Sequence, residues 1–173
     1  MKILTLLRHA KSDWSDSVAR DVDRPLNDRG VQAARTVGRH IAELGLQFDR
    51  VLGSPARRVQ ETIAGVEAGL GRSLSARTEP RIYLASPDAL LELVCEQEEA
   101  TSLLIVGHSP GLEGLALQLA TPGPLRDEVE IKYPTAALAE LVSAVDRWDA
   151  FTSPDLTRFV RPRDLDPNLG PDV

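Results

Sequence analysis

The stretch Ile3-Leu4-Thr5-Leu6-Leu7-Arg8-His9-Ala10-Lys11 opens the chain with a largely apolar run that ends in an arginine and a histidine. The run is too short for a full helix, so it predicts a buried β-strand. In an α/β fold, ligands bind where the parallel strands end. A histidine beside an arginine makes a poor cation site and a good anion site. This stretch therefore predicts an anion-binding strand end.

A second stretch repeats the pattern further along the chain. Leu103-Leu104-Ile105-Val106-Gly107-His108-Ser109-Pro110 is again a buried-looking strand that ends in histidine. A histidine in this position can serve as a ligand, a base or a nucleophile. The two strand ends, at His9 and His108, are therefore the candidate functional positions.

Length and composition indicate one globular domain. The chain has 173 residues, of which 42% are hydrophobic and 27% charged, as in ordinary soluble proteins. Its formal net charge of −6 argues against a nucleic-acid partner, which usually needs a basic surface. The apolar run that begins at Ile3 is too short for a signal peptide or a membrane span. We therefore expect a cytoplasmic protein with no membrane partner.

Helical patterns alternate with the strands. Asn27 is predicted as the N-cap of a long helix whose apolar positions keep helical spacing as far as Gly45. The polar segment 12–25 before it is predicted as a long loop, and such loops are often functional. Ser-Pro pairs at 54–55, 86–87 and 109–110 follow predicted strands at 51–53, 81–84 and 103–108. Each pair is typical of a helix start, with serine as N-cap.

The order of elements predicts the fold class. Further strands are predicted at 136–142 and 156–160. The alternation favours an α/β three-layer sandwich, with a mostly parallel central sheet and helices on both faces. We expect one domain over residues 1–160, followed by an irregular C-terminal tail over residues 161–173, which is rich in proline.

This topology brings distant residues to one edge of the sheet. Arg8, His9 and His108 lie at strand ends, and Arg58 lies in the first turn of the helix predicted after Ser54-Pro55. Helix N-termini at the same edge offer unpaired N–H groups and a partial positive charge. The sequence therefore predicts a site for phosphate or another compact oxyanion.

The same residues carry a resemblance to a known family. The motifs Arg8-His9, Ser54-Pro55-x-x-Arg58 with Thr62, and Gly107-His108 resemble those of the histidine phosphatase superfamily, whose fold is phosphoglycerate-mutase-like. The segments 6–12, 23–30, 106–113 and 159–165 are similar to the small SixA-type phosphohistidine phosphatases. Residues 1–160 would then form the histidine phosphatase domain.

The resemblance implies a role for each motif residue. His9 would be the nucleophile and would become phosphorylated, while Arg8, Arg58 and His108 would hold the phosphoryl oxygens. The Ser-Pro-x-x-Arg spacing selects Arg58 over its neighbour Arg57. The resemblance implies neither a metal nor a cofactor.

Three further residues are candidates for binding the phosphoryl group. Lys11 and Ser12 directly follow the strand-end pair. Arg24 precedes the first helix and would either reach the substrate or pair with a nearby carboxylate. We expect Lys11 and Ser12 to contact phosphate or line the mouth of the site, and we include Arg24 among the candidates for binding phosphate.

Departures from the family pattern bear on the substrate. Ala10 stands where most members have glycine, Ser109 stands where phytase-like members have aspartate, and Leu84 falls near the acid expected in mutase-like members. An alkoxide leaving group needs a proton, whereas the P–N bond of phosphohistidine is more labile. The missing acid therefore favours a phosphoramidate. Four loop carboxylates remain open as proton donors, namely Asp13, Asp16, Asp21 and Glu79.

The sequence thus predicts a metal-independent phosphatase that acts on phosphohistidine in a protein. The alternatives are a phosphomonoesterase on phosphoserine, phosphothreonine or a small phosphorylated metabolite, and a catalytically weak phosphate-binding module. A metal-dependent hydrolase would need a convergent ligand set, which the three histidines of the chain do not favour. The expected partner is a phosphorylated protein or metabolite.

Overall fold

A six-stranded mixed sheet forms the centre of the computed structural model, which describes residues 1–17 and 19–170. The strands are β1 (Lys2–Arg8), β2 (Arg50–Gly53), β3 (Arg77–Thr78), β4 (Ser102–Gly107), β5 (Leu138–Ser143) and β6 (Asp155–Val160). Their order is β3-β2-β4-β1-β5-β6. The pairs β1–β4, β2–β4 and β2–β3 are parallel, and β5 and β6 extend the sheet through antiparallel pairs. The predicted mostly parallel sheet is confirmed.

Helices cover both faces of the sheet. They are α1 (Asp28–Leu44), α2 (Arg57–Leu70), α3 (Pro87–Cys95), α4 (Gly111–Leu119), α5 (Pro124–Ile131) and α6 (Pro162–Leu165). One apolar core lies between the sheet and α1, α2 and α6, and the other lies between the sheet and α3, α4 and α5. This arrangement is the predicted three-layer α/β sandwich.

Helix α1 has the boundaries that its sequence predicts. The side chain of Asn27 accepts a hydrogen bond from the backbone N–H of Gly30 at 2.8 Å and so caps the first turn. The helix ends at Gly45, whose φ of 66° lies in the left-handed region that glycine adopts without strain. Local capping chemistry therefore sets both ends of this helix.

The predicted starts of two other helices are wrong. Helix α2 begins at Arg57 with Ala56 at its N-cap, and the Ser54 side chain does not cap the helix. Helix α4 begins at Gly111 with Pro110 at its N-cap and has no side-chain cap. Of the three Ser-Pro pairs, the one at Ser86 acts as predicted, since its hydroxyl accepts from Ala89 N–H at 3.2 Å.

The strand predicted over residues 81–84 is also wrong. Residues Pro80–Ile82 form a 3₁₀ turn, and the edge strand lies earlier, at Arg77–Thr78. Proline lacks the N–H that a strand needs for pairing. The Glu79 carboxylate accepts from Arg81 N–H at 3.1 Å, which stabilises the turn instead.

The segment predicted as an irregular tail contains regular structure. Residues Pro162–Leu165 form α6, and Pro167–Leu169 form a 3₁₀ turn whose Leu169 is 7% exposed in the core beside α1. The Asp164 carboxylate accepts from Arg161 N–H at 2.9 Å and so starts α6. Residues 171–173 lie outside the described residues, and the domain boundary at residue 160 stays a prediction. No helix in the described residues is long and apolar enough to span a membrane.

Candidate active site

Backbone hydrogen bonds fix Arg8 and His9 at the centre of the sheet edge. Arg8 is the last residue of β1, and its N–H donates to the carbonyl of Ala137 at 3.1 Å. The N–H of His9 donates to the carbonyl of Gly107, the last residue of β4, at 3.0 Å. The neighbouring strands β1 and β4 therefore place His9 beside His108 at the edge of the sheet, as the topology predicts.

His9 has one ring nitrogen bonded and the other available. Its Nδ1 lies 2.7 Å from the carbonyl oxygen of Ala10. Because a carbonyl only accepts, Nδ1 carries the proton and Nε2 keeps its lone pair. Burial is the main cause that lowers the pKa of His9 to about 4, and the charges of Arg8 and Arg58 lower it further. The imidazole is therefore neutral at pH 7.

His108 is held in the opposite tautomer. The guanidinium of Arg58 only donates, so its Nη2, 3.2 Å from His108 Nδ1, donates to that nitrogen. The proton is then on Nε2, which donates to the Ser54 hydroxyl at 2.8 Å. Burial, followed by the charge of Arg58, lowers the pKa of His108 to about 3. Its ring centroid lies 5.5 Å from that of His9.

Arg58 is buried and donates hydrogen bonds to Asp21, a residue of the long loop. Its Nη1 donates to the Asp21 carbonyl at 2.8 Å and its Nη2 to the Asp21 carboxylate at 3.1 Å. The Tyr83 hydroxyl also donates to this carboxylate. That bond, followed by the charge of Arg58, holds the pKa of Asp21 below its usual value, and burial opposes the shift. Asp21 is therefore an ionised partner of Arg58.

Thr62 connects the two halves of the site. Its hydroxyl donates to the Arg58 carbonyl at 2.6 Å and accepts from Ala10 N–H at 2.9 Å. Thr62 is fully buried. One side chain on α2 therefore fixes the distance between the strand end that carries His9 and the helix that carries Arg58.

These groups border an open cavity of about 310 Å³. Its lining consists of Arg8, His9, Lys11, Ser12, Trp14, Asp21, Arg58 and Thr135. Five of the predicted site residues therefore meet at this cavity, and the predicted His108 adjoins it through its bond to Arg58 and its proximity to His9. Arg57 points elsewhere and pairs with Glu61 at 3.2 Å on an exposed surface.

Arg24 lies at the mouth of the cavity, on Trp14, and is not one of the lining residues. Its guanidinium stacks on the ring of Trp14, 4.1 Å from the ring centroid, and donates to the Asp16 carbonyl at 3.2 Å. The Trp14 ring gives the cation a flat π surface, and 68% of this tryptophan remains exposed at the cavity mouth. These contacts hold Arg24 against the loop, and its predicted contact with a phosphoryl group stays a prediction.

Sequence reasoning missed three residues of the site. Ser54 was predicted as a helix cap but holds His108, while Tyr83 holds Asp21 and Thr135 lines the cavity. The motif around Ser54 does not predict this bond, because the histidine that Ser54 contacts is distant in sequence. No local pattern marks Tyr83 or Thr135.

Of the four carboxylates proposed as proton donors, Asp21 lines the cavity. Asp13 accepts a hydrogen bond from Ser15 N–H, and Glu79 pairs with Arg81. Leu84, at the position where mutase-like members carry an acid, is 61% exposed. Within the described residues, no three His, Cys, Asp or Glu side chains are grouped as metal ligands would be.

Comparison with known proteins agrees with this geometry. Residues 4–83 match the histidine phosphatase superfamily (branch 1). An uncharacterized protein of Mycobacterium tuberculosis is 35% identical over 142 residues, which cover 78% of this chain and 85% of that protein. A candidate phosphohistidine phosphatase SixA from Agrobacterium tumefaciens is 27% identical, with a TM-score of 0.75 over 93% of this chain and 98% of that one.

A second structure described in the same way, from Nakamurella, is also 27% identical, with a TM-score of 0.78 over 93% of this chain and 96% of that one. The fold is of the phosphoglycerate-mutase-like class, and it brings a strand-end Arg-His pair, a second histidine and a buried arginine to one edge of the sheet. The chain belongs to the histidine phosphatase superfamily, in its SixA-type branch, and it is a phosphatase.

Proposed function

We propose that this phosphatase removes the phosphoryl group from phosphohistidine in a protein, through a covalent intermediate on His9. The observation that carries the proposal is the tautomer of His9. With Nδ1 bonded to the Ala10 carbonyl and a pKa of about 4, Nε2 is an unprotonated nucleophile at the cavity wall.

The reaction has two displacement steps. In the first, His9 Nε2 attacks phosphorus, a new P–N bond forms, and the P–N bond to the substrate imidazole breaks. In the second, water attacks the phosphorus of phospho-His9, orthophosphate leaves, and Nε2 regains its lone pair. The charge on the three phosphoryl oxygens is met by the guanidinium groups of Arg8 and Arg58, while His108 orients Arg58 by accepting its hydrogen bond. Each guanidinium contact is worth on the order of 3 kcal/mol of the barrier.

The leaving group decides between the candidate substrates. Asp21, the carboxylate that lines the cavity, has a lowered pKa and is ionised at neutral pH, so it is a poor proton donor. The imidazole of phosphohistidine leaves as a neutral molecule when its far nitrogen is already protonated. An alkoxide leaves with a negative charge unless an acid protonates it. The site therefore favours phosphohistidine.

The shape of the site favours a protein as the carrier of that group. The cavity is open, and Trp14 at its mouth is 68% exposed. Exposed aromatic side chains are frequent anchors in protein interfaces. We therefore propose a phosphorylated protein as the partner. The cytoplasmic location of the two proteins stays a prediction.

A phosphomonoesterase on phosphoserine or phosphothreonine is the second candidate, and Asp21 is the observation that favours it. A phosphoryl group bound by Arg58 would compete with the Asp21 carboxylate for the same guanidinium. Release from Arg58 removes one of the causes that lower the pKa of Asp21. A freed Asp21 would then be a better acid for an alkoxide.

The test compares wild type with His9→Ala on a phosphohistidine-bearing protein, a phosphoserine peptide and a simple aryl phosphate, with a chelator present. We expect wild type to prefer phosphohistidine and to form an acid-labile phosphoenzyme that His9→Ala lacks. The matched control is His40→Ala, a half-buried histidine of α1 that lies near Glu43 and should not affect activity. Activity that survives His9→Ala contradicts the mechanism, activity lost with chelator contradicts metal independence, and a preference for phosphoserine selects the second candidate.

A further inference from the structure

A second cleft adjoins the catalytic cavity and carries an excess of positive charge. Its cationic lining residues are Lys11, Arg29, Lys132, Arg161 and Arg163. None of the described residues that line this cationic cleft is Asp or Glu, although the chain as a whole has a net charge of −6. Charge of this sign is therefore concentrated at one place beside the active site.

The two cavities share a wall. Lys11 and Thr135 line both the cationic cleft and the catalytic cavity. A polypeptide that presents its phosphorylated side chain to His9 therefore passes close to the cleft. The cleft is in reach of residues that flank the phosphorylated position.

The walls of the cleft are rigidly held. The N–H of Asn27 donates to the Lys11 carbonyl at 3.0 Å, and a Cβ on Gly30 would lie 2.2 Å from that same oxygen. The start of α1, which carries Arg29, is thus packed directly on Lys11. The opposite wall is fixed because a Cβ on Gly170 would lie 2.4 Å from the Cβ of Arg163.

The cationic side chains differ in how far their charge is compensated. Arg161 pairs with Asp164 at 3.0 Å and with Glu128 at 3.7 Å, so it is largely neutralised. Arg29 donates to the carbonyl of Asn168 at 3.3 Å, which leaves its charge in place. In the part of the chain that the structure describes, neither Arg29 nor Arg163 forms a salt bridge. The charges of Arg29 and Arg163 are therefore less compensated than that of Arg161.

The cleft is narrow and its floor is apolar. It holds about 30 Å³, and Ala33, Pro134, Pro162 and Leu169 contribute apolar surface to it. Such a volume accepts one or two water molecules or a single carboxylate, since one water needs roughly 10–15 Å³ by this measure. A carboxylate with a short apolar stem matches both the charge and the size.

We propose, on the basis of the function proposed above, that this cationic cleft docks an acidic side chain of the protein that carries the phosphohistidine. The docked carboxylate lies against Arg29 and Arg163 while the phosphoryl group reaches His9. Complementary charge outside the reacting centre raises the encounter rate and lowers KM for a protein substrate. A small phosphoramidate occupies only the catalytic cavity, so a carboxylate site in the cationic cleft does not lower its KM.

The test uses the double charge reversal Arg29→Glu/Arg163→Glu. On a phosphohistidine-bearing protein with acidic residues near the phosphorylated position, we expect KM to rise by about tenfold, with kcat within twofold and a weaker dependence on salt. On inorganic phosphoramidate, kcat/KM should stay unchanged. The matched control Arg39→Glu/Arg72→Glu makes the same change of charge at exposed positions on the far part of α1 and after α2.

Three results would overturn the inference. They are an equal rise of KM for phosphoramidate, an equal effect of the control pair, and an unchanged KM of the charge-reversal variant for the phosphohistidine-bearing protein. If the charge reversal disturbs folding, the milder pair Arg29→Gln/Arg163→Gln replaces it, with unfolding measured alongside. This pair should raise KM for the phosphohistidine-bearing protein by a smaller factor. An unchanged KM contradicts the inference.

Direct binding separates this inference from the proposed function. A fluorescein-labelled Glu-Leu repeat peptide, which has no phosphate, should bind wild type and the control pair and lose binding to Arg29→Glu/Arg163→Glu. Binding of that pattern without any phosphohistidine hydrolysis supports the cleft and rejects the proposed substrate. Hydrolysis of phosphohistidine without peptide binding supports the substrate and rejects the cleft.

Discussion

The planar guanidinium of Arg58 makes three directed hydrogen bonds. Its planar shape matches the oxygens of a phosphoryl group. Two go to Asp21 and one to Nδ1 of His108. A lysine ammonium at the same place would keep the charge and lose the planar fork. The role of Arg58 therefore depends on its geometry as well as on its charge.

Arg58→Lys should lower kcat on phosphohistidine by about a hundredfold, because one lost contact to the transition state costs on the order of 3 kcal/mol. The neighbouring Arg57→Lys is the control, since Arg57 pairs with Glu61 on an exposed surface. Steady-state kinetics of the two variants measures the difference. Equal rates for both would show that Arg58 does not hold the phosphoryl group.

Asp21 is hydrogen-bonded to the guanidinium of Arg58, which binds the phosphoryl group in the proposed mechanism, so Asp21 and the substrate would compete for it. Asp21→Asn should strengthen inhibition by vanadate by up to about fivefold, the equivalent of one partly exposed ion pair. Turnover of phosphohistidine should change little, because its leaving group needs no acid from Asp21. Asp23→Asn, in the same 3₁₀ turn and paired with Arg20, is the control. Weaker vanadate inhibition in Asp21→Asn would contradict competition.

At the residue scale, the sequence predicts the site residues that directly follow a strand. It does not predict the hydrogen bonds between residues that are distant in sequence. Arg8, His9, Lys11 and Ser12 are placed by one strand, so their grouping follows from the pattern alone. The bonds from His108 to Ser54 and from Tyr83 to Asp21 join residues 54 and 62 positions apart. Such contacts depend on the packed tertiary structure.

At the element scale, the packing of α1 against α2 holds in place the helix that carries Arg58 and Thr62. Glycines allow the two helices to approach closely, and a Cβ on Gly38 would lie 2.1 Å from the backbone oxygen of Val66. Backbone cannot yield as a flexible side chain can. Helix α2, which carries both Arg58 and Thr62, would have to move away.

Gly38→Ala should therefore lower the free energy of unfolding by about 1–3 kcal/mol, as overpacked substitutions do. The gain in helix propensity from glycine to alanine offsets up to about 1 kcal/mol of that loss. Gly123→Ala is the control, because a Cβ there meets no atom within 4 Å. Urea unfolding measures both variants, and a Gly38→Ala protein as stable as wild type would show that the interface yields without cost.

Element boundaries could be predicted where local chemistry sets them. The side-chain cap of Asn27 and the left-handed Gly45 define α1. The Ser-Pro pair at Ser54 has the same composition as a cap, but His108 engages its hydroxyl from another strand. The edge strand at Arg77–Thr78 is short and exposed, so no apolar pattern marks it.

At the scale of the whole molecule, the sheet order could be predicted only in part. The parallel strands β1, β2 and β4 carry continuous apolar runs, which are typical of strands buried on both faces. The antiparallel direction of β5 and β6 does not follow from such a pattern, because it depends on how the connections cross the sheet. The shared edge of strand ends, which unites the site, follows from the parallel core alone.

The two site histidines, of which His108 is buried and His9 half-buried, make the stability of the whole fold depend on pH. Burial lowers the pKa of His9 to about 4 and that of His108 to about 3 in the folded protein, whereas an unfolded histidine has a pKa of about 6.5. Between these values the unfolded chain binds more protons, so the free energy of unfolding rises with pH. The stabilisation is complete above pH 6.5 and is lost as pH falls towards the folded values.

We therefore expect the free energy of unfolding to fall between pH 6.5 and 5 with a slope of up to about 1.4 kcal/mol per pH unit for each histidine. His108→Gln should remove the contribution of His108 to this pH dependence, so the free energy of unfolding should change less steeply with pH. This expectation holds whatever the effect of the substitution on stability at pH 7. Urea unfolding at half-unit steps measures both slopes, and the interval from pH 7 to 8 is the control, where neither histidine titrates. An undiminished slope in His108→Gln would mean that the folded state holds this imidazole protonated, and a protonated His108 could no longer accept the hydrogen bond from Arg58.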